Sequence, residues 1–254
     1  MIKEFHMSAQ FIRTRLLVGD DPIDRLSAAK IAVFGVGGVG GFCVEALARA
    51  GVGALHLYDD DTISESNLNR QIVALHSTVG KPKAEVMAQR VLDINPNCQV
   101  EAIRMFYLPE NAEQVDFTQY DYVVDCIDTV AAKLDLVQRC HRLNIPIISA
   151  MGSGNKLDPT AFVVTDISKT QGCPLARVMR KELRKRGIDH LKVVYSKEEP
   201  LTPLTPPEEE VPETATETRP ASSARRATPG SISFVPAAAG LVLAGAVIRD
   251  IGKF

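Results

Sequence analysis

No two of the five cysteines, Cys43, Cys98, Cys126, Cys140 and Cys173, form a CxxC pair, and their number is odd. This argues against a disulfide framework and against a cysteine zinc site, so no zinc is expected and a reducing compartment suits the chain. Net charge is scarce too: 29 Lys and Arg stand against 31 Asp and Glu, leaving −2. No global basic field advertises nucleic acid, and any RNA contact must use a local patch. The N-terminal Met1-Ile2-Lys3-Glu4-Phe5-His6 has no apolar signal core behind it. Residues 229–248 carry no charge. Pro236, however, leaves a helical run of only about a dozen residues, short of the roughly 20 that span a bilayer. The expectation is a cytoplasmic protein with no membrane segment. The five histidines show no ligand spacing, and there is no internal repeat.

What is there reads as a globular α/β chain. Of 254 residues, 45% are hydrophobic and 24% charged, which excludes wholesale disorder. Short apolar runs at 31–34, 55–58, 122–125 and 145–148 suit strands buried on both faces of a parallel sheet. Helical stretches separate them: 42–50, ended by Gly51 and Gly53; a segment opened by Pro82 and stopped at Asn95-Pro96; and one between 125 and 145. The alternation predicts a doubly wound, Rossmann-like, mainly parallel sheet over 12–150. Beyond it, 151–254 reads as a smaller α/β C-terminal extension. It holds a strand at 162–165, a charged helix at 174–186, a strand at 193–196 and renewed order from Ser231. Seven of the fifteen prolines fall between Pro200 and Pro229. The Pro/Glu/Thr-rich stretch 202–229 cannot bury enough apolar area to offset chain entropy, so a mobile, disordered insertion is expected there.

Gly35, Gly37, Gly38 and Gly40 follow the first strand and open a helix. Glycine lets the backbone turn sharply and lets a phosphate approach the amides, while the helix N-terminus adds free donors and a favourable dipole. Asp59 ends the next strand 19 residues after Gly40, where a carboxylate accepts ribose hydroxyls. The alternative is a glycine-rich structural turn. The usual occupant of such a loop is NAD or FAD. Here, though, it is followed by Asp61, Asn67, Arg70, Gln71 and Lys83, preceded by Arg13, and matched by Asp128 beyond a later strand. Arginines and a lysine converging there would neutralise a triphosphate, and Asp128 would hold magnesium.

These residues resemble the ThiF/MoeB family, adenylating enzymes related to ubiquitin-activating enzymes. Within it, the branch of tRNA threonylcarbamoyladenosine dehydratases, TcdA or CsdL, fits best. Its resemblance extends through Asn67-Leu68-Asn69-Arg70-Gln71, Ile94-Asn95-Pro96, Asp158-Pro159, Pro174-Leu175-Ala176 and the segments 166–170, 192–196 and 230–236. The resemblance implies an adenylation domain at 12–150 and a substrate side at 151–254. It implies that a threonyl carboxylate next to the tRNA anticodon attacks ATP, pyrophosphate leaves, and the side chain then cyclises with release of AMP. It assigns Arg70 and Lys83 to the phosphates, Asp128 to magnesium, Asp59 to the ribose, and Asn67 and Gln71 to phosphate positioning. Arg13 reaches the γ-phosphate, in this family from a partner subunit, which implies a homodimer. A structural monovalent cation and a cysteine desulfurase or sulfur-acceptor partner are further candidates.

Plainer readings stand beside these. Asp61 is equally a solvated turn residue, Arg70 a surface ion-pair residue, and Asp128 an N-cap. Cys126 reads as inert packing inside a strand. Cys173, before Pro174, sits where a helix start stabilises a thiolate, although cyclisation needs no thioester. Arg177, Arg180, Lys181, Arg184 and Lys185, with Arg186, form a cationic segment that is either a solvated face or a contact for RNA phosphates. Two other functions compete: adenylation of the C-terminal glycine of a sulfur-carrier protein, and NAD-dependent oxidoreduction.

Overall fold

The computed structural model describes residues 9–204 and 229–254. Nearly all of the insertion expected at 202–229 therefore lies outside the described residues.

Among the described residues, seven strands form one sheet: β1 (Lys30–Phe34), β2 (Ala54–Tyr58), β3 (Gln99–Ile103), β4 (Tyr122–Asp125), β5 (Ile147–Ala150), β6 (Phe162–Asp166) and β7 (Lys192–Ser196). Their order is β3-β2-β1-β4-β5-β7-β6. Every pairing is parallel except the antiparallel β6–β7 edge. Helices α1 (Ile12–Val18) and α2 (Asp20–Ala28) precede β1, and α3 (Gly40–Arg49), α4 (Lys83–Ile94) and α5 (Val130–Leu143) make the crossovers. Helix α6 (Pro174–Arg184) joins β6 to β7, and α7 (Phe234–Gly252) closes the chain.

The continuous apolar run of β1 is explained by burial on both faces. Ile31 and Val33 enter a core with Val44, Leu47, Met87 and Leu243. Ala32 and Phe34 point the other way, toward Val123, Ala132 and Leu136. Strand periodicity of two thus feeds two cores at once. Because β2 lies on one side of β1 and β4 on the other, the crossovers diverge at β1. The crevice outside the carboxyl ends of β1 and β4 is the topological switch point where such sheets take ligands.

The extension from residue 151 adds β6 and β7 to the same sheet, β7 pairing in parallel with β5 (Ala150 against Val194). Several elements differ from expectation. β3 and the α1–α2 pair were not foreseen; β3 is an edge strand whose residues are exposed or half-buried, so its apolar signal is weak. The strand expected from residue 145 begins at Ile147, past Pro146. The charged helix ends at Arg184 rather than 186, and Gly187 turns the chain away with φ +74°. Pro236 does not delay α7. It is the third residue of a 19-residue helix, in the first turn where a missing N–H carries little penalty. By length and composition α7 is apolar enough to cross a membrane. Its Val235, Ala239, Leu243, Ala244 and Val247 are nevertheless buried in the core beside α3.

Candidate active site

The glycines of the loop after β1 do different jobs. Gly35 has φ +88°, and a Cβ there would lie 2.9 Å from the carbonyl oxygen of Cys126, just past β4. A Cβ on Gly40 would stand 1.8 Å from the Gly35 oxygen. These two close the turn and let the ends of β1 and β4 meet. Gly37 is open instead: among the described residues a Cβ there would meet only the Gln71 side-chain nitrogen, at 3.8 Å. A Cβ on Gly38 would lie 3.2 Å from Pro236 of α7 and 3.6 Å from the Arg70 Cγ. Bare backbone at the start of α3, open on one side and walled by Arg70 and Gln71, has the chemistry to receive an anion.

Gln71 is only 8% exposed, and its Oε1 is buried with no hydrogen-bond partner among the described residues. It is the amide nitrogen of this side chain, a donor, that faces the open side of Gly37. Arg70 is half-buried, and burial lowers its pKa. Its Nη1 donates to the Ser66 carbonyl at 2.8 Å and to Asn69 Oδ1 at 2.9 Å. Asn67 is buried and works locally: its Oδ1 accepts the Ser64 N–H at 3.2 Å and caps the turn that carries Arg70.

Asp59 ties the next strand end to the loop. One carboxylate oxygen accepts the Val36 N–H at 2.7 Å and the other the Asp61 N–H at 2.9 Å. Burial raises its pKa, opposed by those amides and by Lys83. Asp61 is exposed, yet it is more than a solvated turn, because it holds Lys83 Nζ at 2.7 Å. Lys83 opens α4 and is 5% exposed. Asp128 is exposed, three residues past β4, and accepts from the Thr129 hydroxyl at 3.4 Å. Thr129, not Asp128, occupies the N-cap position of α5.

The expected residues thus gather at one sheet edge, with Arg13 the exception. Phe11, two residues before it, packs on Gly51 beyond the end of α3, and Gln10 bonds the Ile94 carbonyl at the end of α4. The phosphate loop opens α3 at its other end, about 15 Å away for a ten-residue helix. Of the cationic segment, Arg177, Lys181, Arg184 and Lys185 are exposed. Arg180 is turned inward, its Nη1 donating to the Thr170 carbonyl at 2.8 Å and hydroxyl at 2.6 Å. Lys185 and Arg186 both pair with Glu182. All five cysteines are free. Cys126 lies just past β4 rather than within it, and burial raises its thiol pKa, as it does for Cys43. The same cause pushes Cys98 up to about 11 and Cys140 up to about 12.

Two contributors were missed from sequence. Asn155, left-handed at φ 59°, takes the Gly230 N–H on its Oδ1 at 2.6 Å, and its carbonyl takes the Leu201 N–H at 2.7 Å. One residue therefore holds the chain on both sides of 205–228. A left-handed Asn is a turn signal, but nothing local tells which segments it will hold. Lys133, fully buried beneath the crevice, was the second; a lysine in a helix ordinarily reads as surface.

A tRNA threonylcarbamoyladenosine dehydratase of Bacillus subtilis is 44% identical over 248 residues, 97% of this chain and 96% of that protein. Its Escherichia coli counterpart is 43% identical over 175 residues, 69% of this chain and 65% of that protein. The solved structure of E. coli tRNA N6-threonylcarbamoyladenosine dehydratase in complex with ATP superposes with a TM-score of 0.82 at 34% identity, covering 96% of this chain and 94% of that one. The ThiF family matches residues 10–254. With that match spanning the phosphate loop, the Arg70–Gln71 wall and the whole sheet, the chain belongs to the ThiF family.

Proposed function

We propose that this chain is an ATP-dependent tRNA threonylcarbamoyladenosine dehydratase. The observation that carries the reading is the wall of Arg70 and Gln71 on the open side of Gly37–Gly38, in a chain alike over 97% of its length to a protein of that name. A threonyl carboxylate oxygen attacks the α-phosphorus of ATP and pyrophosphate leaves. The carbamoyl nitrogen then closes on the activated carbonyl, losing its proton as AMP departs, so one water is removed overall. The first step depends on neutralising phosphate charge more than on proton transfer.

Arg70 and Lys83 would meet the phosphates, Lys83 trading its Asp61 partner for them, and Asp59 the ribose. Asn67 supports the turn that presents Arg70, and Gln71 donates from beside Gly37. Asp128 offers an exposed carboxylate at the switch point, a hard oxygen donor suited to magnesium shared with phosphate oxygens. Such an ion would supply charge neutralisation there. Residues 12–150 serve the nucleotide and 151–254 the RNA side, where the exposed Arg177, Lys181, Arg184 and Lys185 would take the RNA backbone. Arg180, anchored inward, would support that face from beneath. Arg13 would act on a second copy in a homodimer, since its own anchor is at the far end of α3. Exposed Ile12, Leu16 and Leu17 on α1 fit a subunit contact beside it. A cytoplasmic location is compatible with a tRNA substrate. No described residue is assigned to a monovalent cation or to a sulfur-transfer partner.

The test is nucleoside mass spectrometry on tRNA carrying threonylcarbamoyladenosine, incubated with the protein and Mg-ATP. The expected result is loss of one water from that nucleoside, dependent on ATP and matched by AMP. An unchanged nucleoside, with AMP formed only when a diglycine-ended carrier protein is added, would move the chain to sulfur-carrier activation. ATP left untouched while NADH binds would make it an oxidoreductase.

A further inference from the structure

Lys133 sits where nothing local favours a cation. It lies within the first turn of α5, at the positive end of the helix dipole, and its side chain is 0% exposed. An ammonium taken fully out of water survives only with close partners. Its Nζ is 2.9 Å from Asp125 Oδ2, itself 0% exposed. It also donates to the Ile127 carbonyl at 3.1 Å and the Ala150 carbonyl at 2.9 Å. Asp125 reaches the same neighbour from the other side, its Oδ1 accepting the Ile127 N–H at 3.2 Å.

Ile127 is therefore held by both backbone polar groups. The carbonyl bound by Lys133 belongs to the peptide plane that joins Ile127 to Asp128. A peptide plane is rigid, so its orientation limits where the Asp128 Cα–Cβ bond can point. The Ala150 carbonyl ends β5, so one ammonium also ties the ends of β4 and β5 beneath the crevice. Cys126 anchors the other end of the loop, its N–H on the Phe34 carbonyl at 2.8 Å.

We propose that Lys133, with Asp125, is a positioning residue for adenylation. The pair sets the peptide plane before Asp128, so that this carboxylate meets metal and phosphate without reorganising. The inference rests on the reading of Asp128 given above. A helix-surface lysine would leave both strand ends free, and a residue chosen for stability alone would be apolar at this depth.

Lys133→Met alone strands Asp125 as a buried lone carboxylate and is expected to unfold readily. The informative variant is the double change Asp125→Asn with Lys133→Met, which removes both charges together; the Ile127 and Ala150 carbonyls lose their donor, so its melting temperature falls, but by less than that of Lys133→Met alone. In the metal-free protein, amide hydrogen exchange across 126–129 should then speed up. In turnover, kcat should fall about tenfold or more with KM for tRNA unchanged, and half-maximal rate should need more Mg2+. A folded double variant with wild-type exchange and wild-type kcat would overturn the proposal. Asp128→Ala separates the two levels. If it keeps turnover, the reading of Asp128 fails. If it loses turnover while the double variant keeps it, the positioning role alone fails.

Discussion

A Cβ placed on Gly240 would stand 2.3 Å from the carbonyl oxygen of Val39 and 2.9 Å from the Cβ of Phe42. Val39 is the N-cap residue of α3, so the backbone of α7 lies directly on the phosphate loop's helix, a closeness that only glycine allows. Four residues earlier, Pro236 lies 3.2 Å from where a Cβ on Gly38 of the same loop would stand. Gly240→Ala is therefore expected to lower stability by about 1–3 kcal/mol, the usual effect of forcing a methyl into a packed core. Because the displaced atoms include the loop itself, ATP affinity should fall as well. Thermal melts with and without ATP check both; unchanged values in the two would contradict the contact.

That relationship also marks where sequence reading ends. The Gly35–Gly40 loop was legible because its signals are local: a doubly buried strand, glycines, a helix start, then Asp59. Arg70, Gln71 and Lys83 were legible through their motif; Arg70 and Gln71 lie beside the loop, and Lys83 pairs with Asp61. What joins Gly38 to Pro236, or Asn155 to both Leu201 and Gly230, is chain returning from far along the sequence, and no spacing encodes it. Lys133 was unreadable for a different reason. Its type predicts solvent, and only the ends of β4 and β5 supply the partners that bury it.

Gln71 yields a prediction with opposite signs in two measurements. Its Oε1 is buried without a partner among the described residues, and such a group costs about 1–3 kcal/mol. Gln71→Leu, of similar size, should melt at a higher temperature than wild type in the absence of nucleotide, and should bind ATP more weakly. A stability gain with unchanged ATP affinity would remove Gln71 from the phosphate site.

Arg70→Ala should leave the fold intact, since its hydrogen bonds go to Ser66 and Asn69 within its own turn. Dehydration should fall by about 100-fold or more if the guanidinium faces developing phosphate charge. Steady-state rates beside a circular dichroism melt decide this; near-wild-type turnover would refute the assignment.

His56 makes stability depend on pH. It is 8% exposed on β2, with Nδ1 2.9 Å from the Tyr120 hydroxyl, which lies 2.6 Å from that of Tyr58. Burial, and then the charge of Lys30, lower its pKa, with Glu101 opposing. Unfolded, it takes up a proton from about pH 6.5 downward; folded, it does so only at lower pH. Between those values the unfolded chain binds more protons, so stability falls as pH falls through that window. His56→Gln should flatten this part of the melting-temperature profile. An identical profile in the variant would assign the acid sensitivity to other groups.

Arg13 can be assigned to one subunit or the other by mixing inactive variants. Phe11 and Gln10 hold its segment at the far ends of α3 and α4, so the proposed role needs a second copy. Neither Arg13→Ala nor Arg70→Ala should turn over alone. In a heterodimer of the two, one site combines Arg70 from one chain with Arg13 from the other, and the second site lacks both. Random re-pairing of equal amounts should then restore about a quarter of wild-type activity, half the dimers carrying one intact site in two. Were Arg13 to act within its own chain, each chain would lack one of the two arginines at its own site. The mixture would then stay inactive at every ratio.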